Sequence, residues 1–202
     1  MTSRFLNLAF TPSVKAAQHS NGSRKAYASR DSATEPDILG EDEMHFIAAR
    51  DSFYMASVGA TGWPYVQHRG GPPGFVKILS ERQIGIADFR GNKQYISIGN
   101  LADDNRVSLF FMDYARRTRL KLLGRAKLVD LAKAPELAAT LAIPDYNAKV
   151  ERGLIIDVEA FDWNCSQHIT PRFTLADIGP SVEALKSRIS ELEQEIKHLK
   201  GR

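Results

Sequence analysis

The chain has 202 residues, 43% of them apolar and 25% charged, with a net charge of +3 and a single cysteine, Cys165. That size fits one domain with appendages, and the apolar content supports a real core. One cysteine excludes an internal disulfide framework and a cysteine-based zinc site; no run reaches the ~18 apolar residues of a membrane span; and the mild charge gives no argument for nucleic acid.

Residues 1–40 read as an N-terminal arm with one short helix. Thr11-Pro12 caps Ser13–Gln18, and His19–Glu35 is polar and poor in large apolar residues. Phe5–Phe10 is a short apolar patch without a small-residue cleavage site after it, so it reads as part of the folded protein, in the cytoplasm. Leu39–Arg50 predicts a helix: Glu41, Asp42 and Glu43 suit its N-terminus, Arg50 its end, and Phe46, Ile47 and Ala49 give it an apolar face.

Phe53–Val58 and Tyr65–Arg69 read as two strands joined by the hairpin connection GATGWP. The following GGPPG, Gly70–Gly74, is too rich in Gly and Pro for regular structure. Phe75–Leu79 is a further strand, with Lys77 sharing a face with Phe75 and Leu79. Ile84–Ala87 is a strand that enters the polar turn Asp88–Asn92. A helix is expected over Lys93–Asp103, where Tyr95, Ile98 and Leu101 recur at helical spacing. A helix N-terminus beside Arg90, Asn92, Lys93 and Gln94 suits a phosphate, although a solvated basic turn explains the same residues.

Val107–Met112 reads as a strand buried on both faces. Arg117–Val129 alternates: Arg117, Arg119, Lys121, Arg125 and Lys127 on one parity, and Leu120, Leu122, Ala126 and Leu128 on the other. Period two predicts one basic face and one core face. Leu131–Ala142 is a helix with Pro135 in its first turn, and Gly153–Phe161 is the last strand of the core. A C-terminal helix opens at Pro180, and Val182, Leu185, Ile189, Leu192, Ile196 and Leu199 form a 3-4 heptad seam. Such a narrow seam calls for a partner helix or for docking on the protein's own surface.

Short connections between six or seven strands predict an antiparallel sheet closing toward a barrel. With these pieces in view, the chain resembles the pyridoxamine 5′-phosphate oxidase-like family, and within it the flavin-nucleotide-binding branch. The resemblance runs over roughly Asp42–Phe173. It rests on FYMASVGATGWPYVQHRGGPPGFVKIL, IADFRGNKQYISIGNLADDNRVSLFFMDY, RRTRLKLLGRAKLVD and FDWNCSQHITPRF, in that order. It implies a six- to seven-stranded antiparallel split β-barrel of FMN-binding type, mainly β with flanking helices and the heptad helix. The corresponding boundaries are an arm at 1–40, an FMN-binding barrel at 41–175 and a C-terminal amphipathic helix at 180–202.

The resemblance also implies FMN held between the two subunits of a homodimer. Arg69, Lys77, Asn92, Lys93 and Gln94 are implicated at the phosphate, with Arg90 as neighbour. Asn92 stands where the oxidases usually carry Arg, and Ala87 where a hydroxyl residue often stands, which weakens two of the oxidases' phosphate contacts. Gln67, Phe75 and Val76 suit the flavin ring. Trp163, Gln167, His168 and Arg172 suit the ring of the partner's flavin or an anionic substrate. Cys165 reads as a small buried residue, and no metal-ligand spacing is present among the histidines.

The implied function is an FMN-dependent oxidoreductase acting on a small molecule, with catalytic residues unassigned. The alternatives are a flavin or nucleotide module without turnover (a carrier or sensor), or a split barrel binding haem or F420. A nucleic-acid-binding barrel using Arg116–Lys127 is disfavoured, because no aromatic residues interleave with those charges.

Overall fold

The computed structural model describes residues 3–163 and 166–201; Cys165 lies outside the described residues. One compact unit takes in Met1–Asp113 with Thr118–Cys165, and a second takes in Tyr114–Arg117 with Ser166–Arg202.

The first unit is built on a seven-stranded, wholly antiparallel sheet in the order β2-β1-β5-β6-β7-β4-β3. The strands are β1 Ser52–Val58, β2 Pro64–Gly70, β3 Lys77–Ser80, β4 Gln83–Phe89, β5 Arg106–Asp113, β6 Thr118–Val129 and β7 Val150–Trp163. With its flanking helices this is a split-barrel fold. Alternate side chains point inward, as period two requires. Phe53 and Met55 of β1 face Phe111 and Leu109 of β5, which face Leu120 and Leu122 of β6. Ile84, Ile86, Leu154 and Ile156 complete a dry core with Phe53, whose ring lies 5.0 Å from Phe111 and 5.9 Å from Phe75.

The expectation of a two-sided burial for β5 is corrected. Val107, Leu109, Phe111 and Asp113 are buried, whereas Ser108 is exposed and Phe110 and Met112 are half-covered. A layer covers only one face of this strand, so its apolar run is less buried than its composition suggests. On β6 the alternation holds as far as Ala126, with Leu120, Leu122, Gly124 and Ala126 inward, but Leu128, expected on the core face, is exposed near the strand's end. The basic parity is matched by β7: Lys121 pairs with Asp162 at 2.8 Å, Arg125 with Glu159 at 2.8 Å and Lys127 with Asp157 at 3.4 Å.

The N-terminal residues hold more helix than their composition suggests: α1 Arg4–Ala9, α2 Pro12–Ser20 and α3 Arg24–Tyr27. Ser3 and Thr11 cap the first two through their hydroxyls, which accept from the N–H of Leu6 and Val14. The nearly buried carboxylate of Asp31 gathers Lys15 at 2.8 Å and Arg24 at 3.1 Å, and the Asn7 amide donates to the Asp31 carbonyl. These polar contacts order a segment that has too few apolar residues to build its own core. Helix α4, Glu41–Ala48, carries its acidic residues in the first turn and buries Ile47. Helix α6, Pro135–Leu141, has Pro135 at its start and buries Leu141.

Four helix starts after the N-terminal arm differ from the sequence expectation: α4 opens at Glu41 and not Leu39, α6 opens at Pro135 after a separate 3₁₀ turn over Leu131–Lys133, and α5 and α7 differ too. Helix α5 is Ile96–Asp103, not Lys93–Asp103, because Lys93 (φ 63°) and Tyr95 (φ 53°) both adopt the left-handed conformation. Helix α7, in the second unit, is Leu175–Lys200 with Pro180 inside it. Its start is set by a capping box. Thr174 Oγ1 accepts from the Asp177 N–H at 3.2 Å, and Asp177 Oδ2 accepts from the Thr174 N–H at 2.8 Å. That cap nucleates the helix ahead of Pro180, whose missing N–H then costs a single intrahelical bond near the end.

Candidate functional site

Strand β2 is an edge strand, and its alternate residues Tyr65, Gln67 and Arg69 face across to the end of β4 and the turn that follows it. A cavity of about 60 Å³ lies there, lined by those three side chains with Asp88, Asn92, Lys93, Gln94, Ser97 and Glu151, among others. A second cavity of about 220 Å³ shares Gln67, Arg69, Phe89 and Gly91 and adds His68, Phe75 and Arg90. Seven of the residues singled out from the sequence for the cofactor (Gln67, Arg69, Phe75, Arg90, Asn92, Lys93 and Gln94) therefore line one pair of adjoining cavities.

Hydrogen bonds fix this arrangement. The Ser97 hydroxyl donates to Gln67 Oε1 at 2.7 Å, tying α5 to β2. The Asn92 side chain accepts from the Gln94 N–H at 3.1 Å, the pattern of an Asx turn. That turn needs two left-handed residues, Lys93 and Tyr95, which is strain of the kind stored at ligand-holding loops. Ile96, Ser97 and Ile98, the first turn of α5, line the smaller cavity. Their N–H groups belong to the positive end of the helix.

The electrostatics favour an anion. Arg69, Arg90, Lys93 and Arg152 gather around only two carboxylates, Asp88 and Glu151, a surplus of two positive charges. Arg69 pairs with Asp88, and Arg152 lies 3.6 Å from the same carboxylate. Arg90 Nε donates to Glu151 Oε1 at 2.9 Å, and the Tyr95 hydroxyl donates to that oxygen at 3.2 Å. The Arg90 guanidinium holds the Glu151 carboxyl below its ordinary range, with burial opposing and the Tyr95 hydroxyl and Arg152 adding to the effect. Glu151 is thus a fixed anion that orients its donors. Lys93 forms no ion pair with any described residue, and the Nε of Arg69 is buried without a hydrogen-bond partner. Both are donors left over for something else.

The remaining sequence candidates lie elsewhere. Val76 is buried in the hydrophobic core and lines neither cavity. Lys77 starts β3, the opposite edge strand, and lines neither cavity. The Trp163 indole donates to Glu43 Oε1 at 2.6 Å and stands edge-on to Phe46 at 4.8 Å. It borders a different cavity, of about 430 Å³, with Phe10, Tyr27 and Lys121. Gln167, His168 and Arg172 belong to the second unit, where Arg172 stacks on Tyr114 at 4.9 Å and His168 has a left-handed backbone (φ 63°). Sequence reasoning missed Asp88, Ser97 and Glu151. The register that brings β7 beside β4, with Asp88 opposite Arg152, reveals the two carboxylates, and the packing of α5 against Gln67 of β2 reveals Ser97.

A family model described as Pyridoxamine 5′-phosphate oxidase matches residues 40–161, more than half of the chain. The chain belongs to the pyridoxamine 5′-phosphate oxidase family. The matched span takes in all seven strands up to Phe161 and the whole of the α5 turn. Among solved structures, HupZ of Group A Streptococcus is 15% identical over 67% of this chain and 100% of its own, with a TM-score of 0.47. A Clostridium acetobutylicum protein of the pyridoxinephosphate oxidase family, related to general stress protein 26, is 16% identical over 68% and 94%, with a TM-score of 0.41. An F420 reductase is 14% identical over 61% and 98%, with a TM-score of 0.44. None of the curated proteins matches this chain.

Proposed function

We propose that the protein is a cytoplasmic, homodimeric FMN-binding oxidoreductase acting on a small molecule. The observation that carries this reading is the convergence of Arg69, Lys93, Asn92 and the first turn of α5 on one cavity, with Arg90 and Arg152 paired to its two carboxylates from outside it, so that the four cations together exceed Asp88 and Glu151 by two. A phosphate monoester carries close to two negative charges, which matches that surplus. Its oxygens suit the unpartnered Arg69 Nε, the unpaired Lys93 ammonium and the α5 N–H groups. The residues present therefore fit the cofactor that the family resemblance implies.

In this reading Arg69 and Lys93 bind the phosphate, while Asp88 and Glu151 hold Arg69 and Arg90 in place. Gln67, braced by Ser97, offers an amide to the polar edge of the ring, and Phe89 and Phe75 offer apolar contact. Bound FMN would supply the two-electron redox chemistry, and the protein would supply binding, orientation and exclusion of water. Neither cavity reaches the roughly 300 Å³ at the lower end of sites that bury a drug-sized ligand. A second subunit covering the open side is consistent with that shortfall. Trp163, Gln167, His168 and Arg172 are the side chains this reading assigns to that cover and to an anionic substrate, and Lys77 is an outlying phosphate donor.

The test is the cofactor itself. Purified protein is expected to show flavin absorbance, to release FMN on denaturation by mass, and to be bleached anaerobically by NADH or NADPH. Protein that is colourless and neither quenches nor binds added FMN overturns the reading. A released haem or F420 replaces the cofactor, and bound FMN that no reductant bleaches leaves a carrier or sensor.

A further inference from the structure

Every apolar residue at the seam of α7 is exposed. Leu175, Ile178, Val182, Leu185, Ile189, Leu192, Ile196 and Leu199 are 85, 40, 39, 64, 55, 40, 50 and 62% accessible, and no residue of the helix is buried. Because α7 begins at Leu175, the 3-4 spacing runs unbroken over these eight positions, two more than a helix opening at Pro180 would carry. A bare stripe of this length in water is unfavourable, and its sequence specifies what covers it.

We infer that α7 pairs with α7 of a second copy as a parallel, two-stranded coiled coil. Two independent features carry this. First, the a positions are Leu175, Val182, Ile189 and Ile196, and the d positions are Ile178, Leu185, Leu192 and Leu199. β-Branched residues at a with Leu at d, which holds for the last three heptads, is the combination that favours parallel dimers over trimers and tetramers. Second, the flanking charges match only in that orientation. In a parallel pair each g residue faces the e residue of the next heptad on the other chain. Arg188 then meets Glu193, and Glu195 meets Lys200. An antiparallel pair with the seams fully overlapped has its axis near residue 187, so Arg188 faces Arg188 and Lys186 faces Lys186. The helix's own ion pairs, Lys186 to Glu183 at 2.7 Å and Arg188 to Glu191 at 2.9 Å, are exposed and free to exchange for these.

The test uses the full chain with Cys165→Ser as background. Leu192→Cys places a thiol at d, and Gln194→Cys places one two residues on, at the outer f position. Under mild oxidation Leu192→Cys is expected to form a covalent dimer nearly completely, and Gln194→Cys several-fold less. In an antiparallel pair the two copies of residue 192 lie roughly 15 Å apart along the axis and do not cross-link. Glu193→Lys is expected to cut the Leu192→Cys cross-link several-fold, and adding Arg188→Glu to restore it. Equal cross-linking at 192 and 194, or no rescue by the double charge swap, overturns the inference. Both readouts are local to α7, so an association through the barrel alone registers as failure.

Discussion

Arg69 on β2 and Asp88 on β4 form an ion pair between strands that are not neighbours in the sheet: β2 is one edge, and β4 lies next to the other. The pair joins the two ends of a curled sheet and also floors the anion site. Both side chains are about nine-tenths covered, 11% and 8% accessible, so breaking the pair leaves a carboxylate in poor solvent with only Arg152 nearby. Arg69→Ala is expected to cost about 2–4 kcal/mol of stability. Arg69→Leu with Asp88→Leu is expected to cost less than either single change. Urea unfolding of the four variants, Arg69→Ala, Arg69→Leu, Asp88→Leu and the double, checks both statements.

Lys93 adopts a left-handed conformation without being glycine, so its side chain matters more than its backbone comfort. Lys93→Gly is expected to raise stability by about 0.5–1 kcal/mol, since a non-glycine residue there costs ~1–2 kcal/mol before glycine's extra unfolded-state freedom is subtracted. It is also expected to weaken FMN binding roughly tenfold, the worth of one charge-assisted contact. Thermal unfolding without FMN and a flavin fluorescence titration give the two numbers.

The Glu151 carboxyl, with an ordinary value of 4.5, is lowered in the folded chain by the Arg90 guanidinium first, against burial. The unfolded chain therefore takes up this proton at a higher pH than the folded one. The stability it contributes is complete above about pH 5 and is lost as pH falls through the folded value. Glu151→Gln is expected to flatten the acid side of the Tm-against-pH curve, below about pH 5. An unchanged slope contradicts the assignment.

Gly124 and Gly99 separate space from flexibility. A Cβ on Gly124, at the irregularity of β6, would lie 2.7 Å from the Asp157 carbonyl oxygen and 2.7 Å from Ile156 Cγ2, so Gly124→Ala is expected to cost about 1–3 kcal/mol. Gly99 is inside α5 with nothing within 4 Å of such a Cβ. Gly99→Ala is expected to add about 0.5–1 kcal/mol. Chemical denaturation distinguishes opposite signs directly.

The charge on β6 leads to a last expectation. Because Lys121, Arg125 and Lys127 already pair with carboxylates of β7, the strand presents little free positive field. Oligonucleotides are expected not to bind at physiological salt, as fluorescence anisotropy measures. Reversing Asp157 and Glu159 to Lys is expected to create the affinity that the native strand lacks.

Local chemistry by itself determined much of this protein. Alternation in 117–129, the punctuation at GATGWP and GGPPG, and the acidic start of α4 each predict an element that forms, because period, turn residues and caps act over a few neighbours. The heptad spacing likewise fixed which face of α7 is apolar. What a strand faces is a different matter. The half-open outer side of β5, the interior place of Val76 and the pairing of Arg69 with Asp88 follow from strand order and curl, which no local pattern encodes. The start of α5 and of α7 turned on two left-handed residues and one reciprocal cap. There, backbone dihedrals and hydrogen bonds outweighed the intrinsic signals of Lys93 and Pro180.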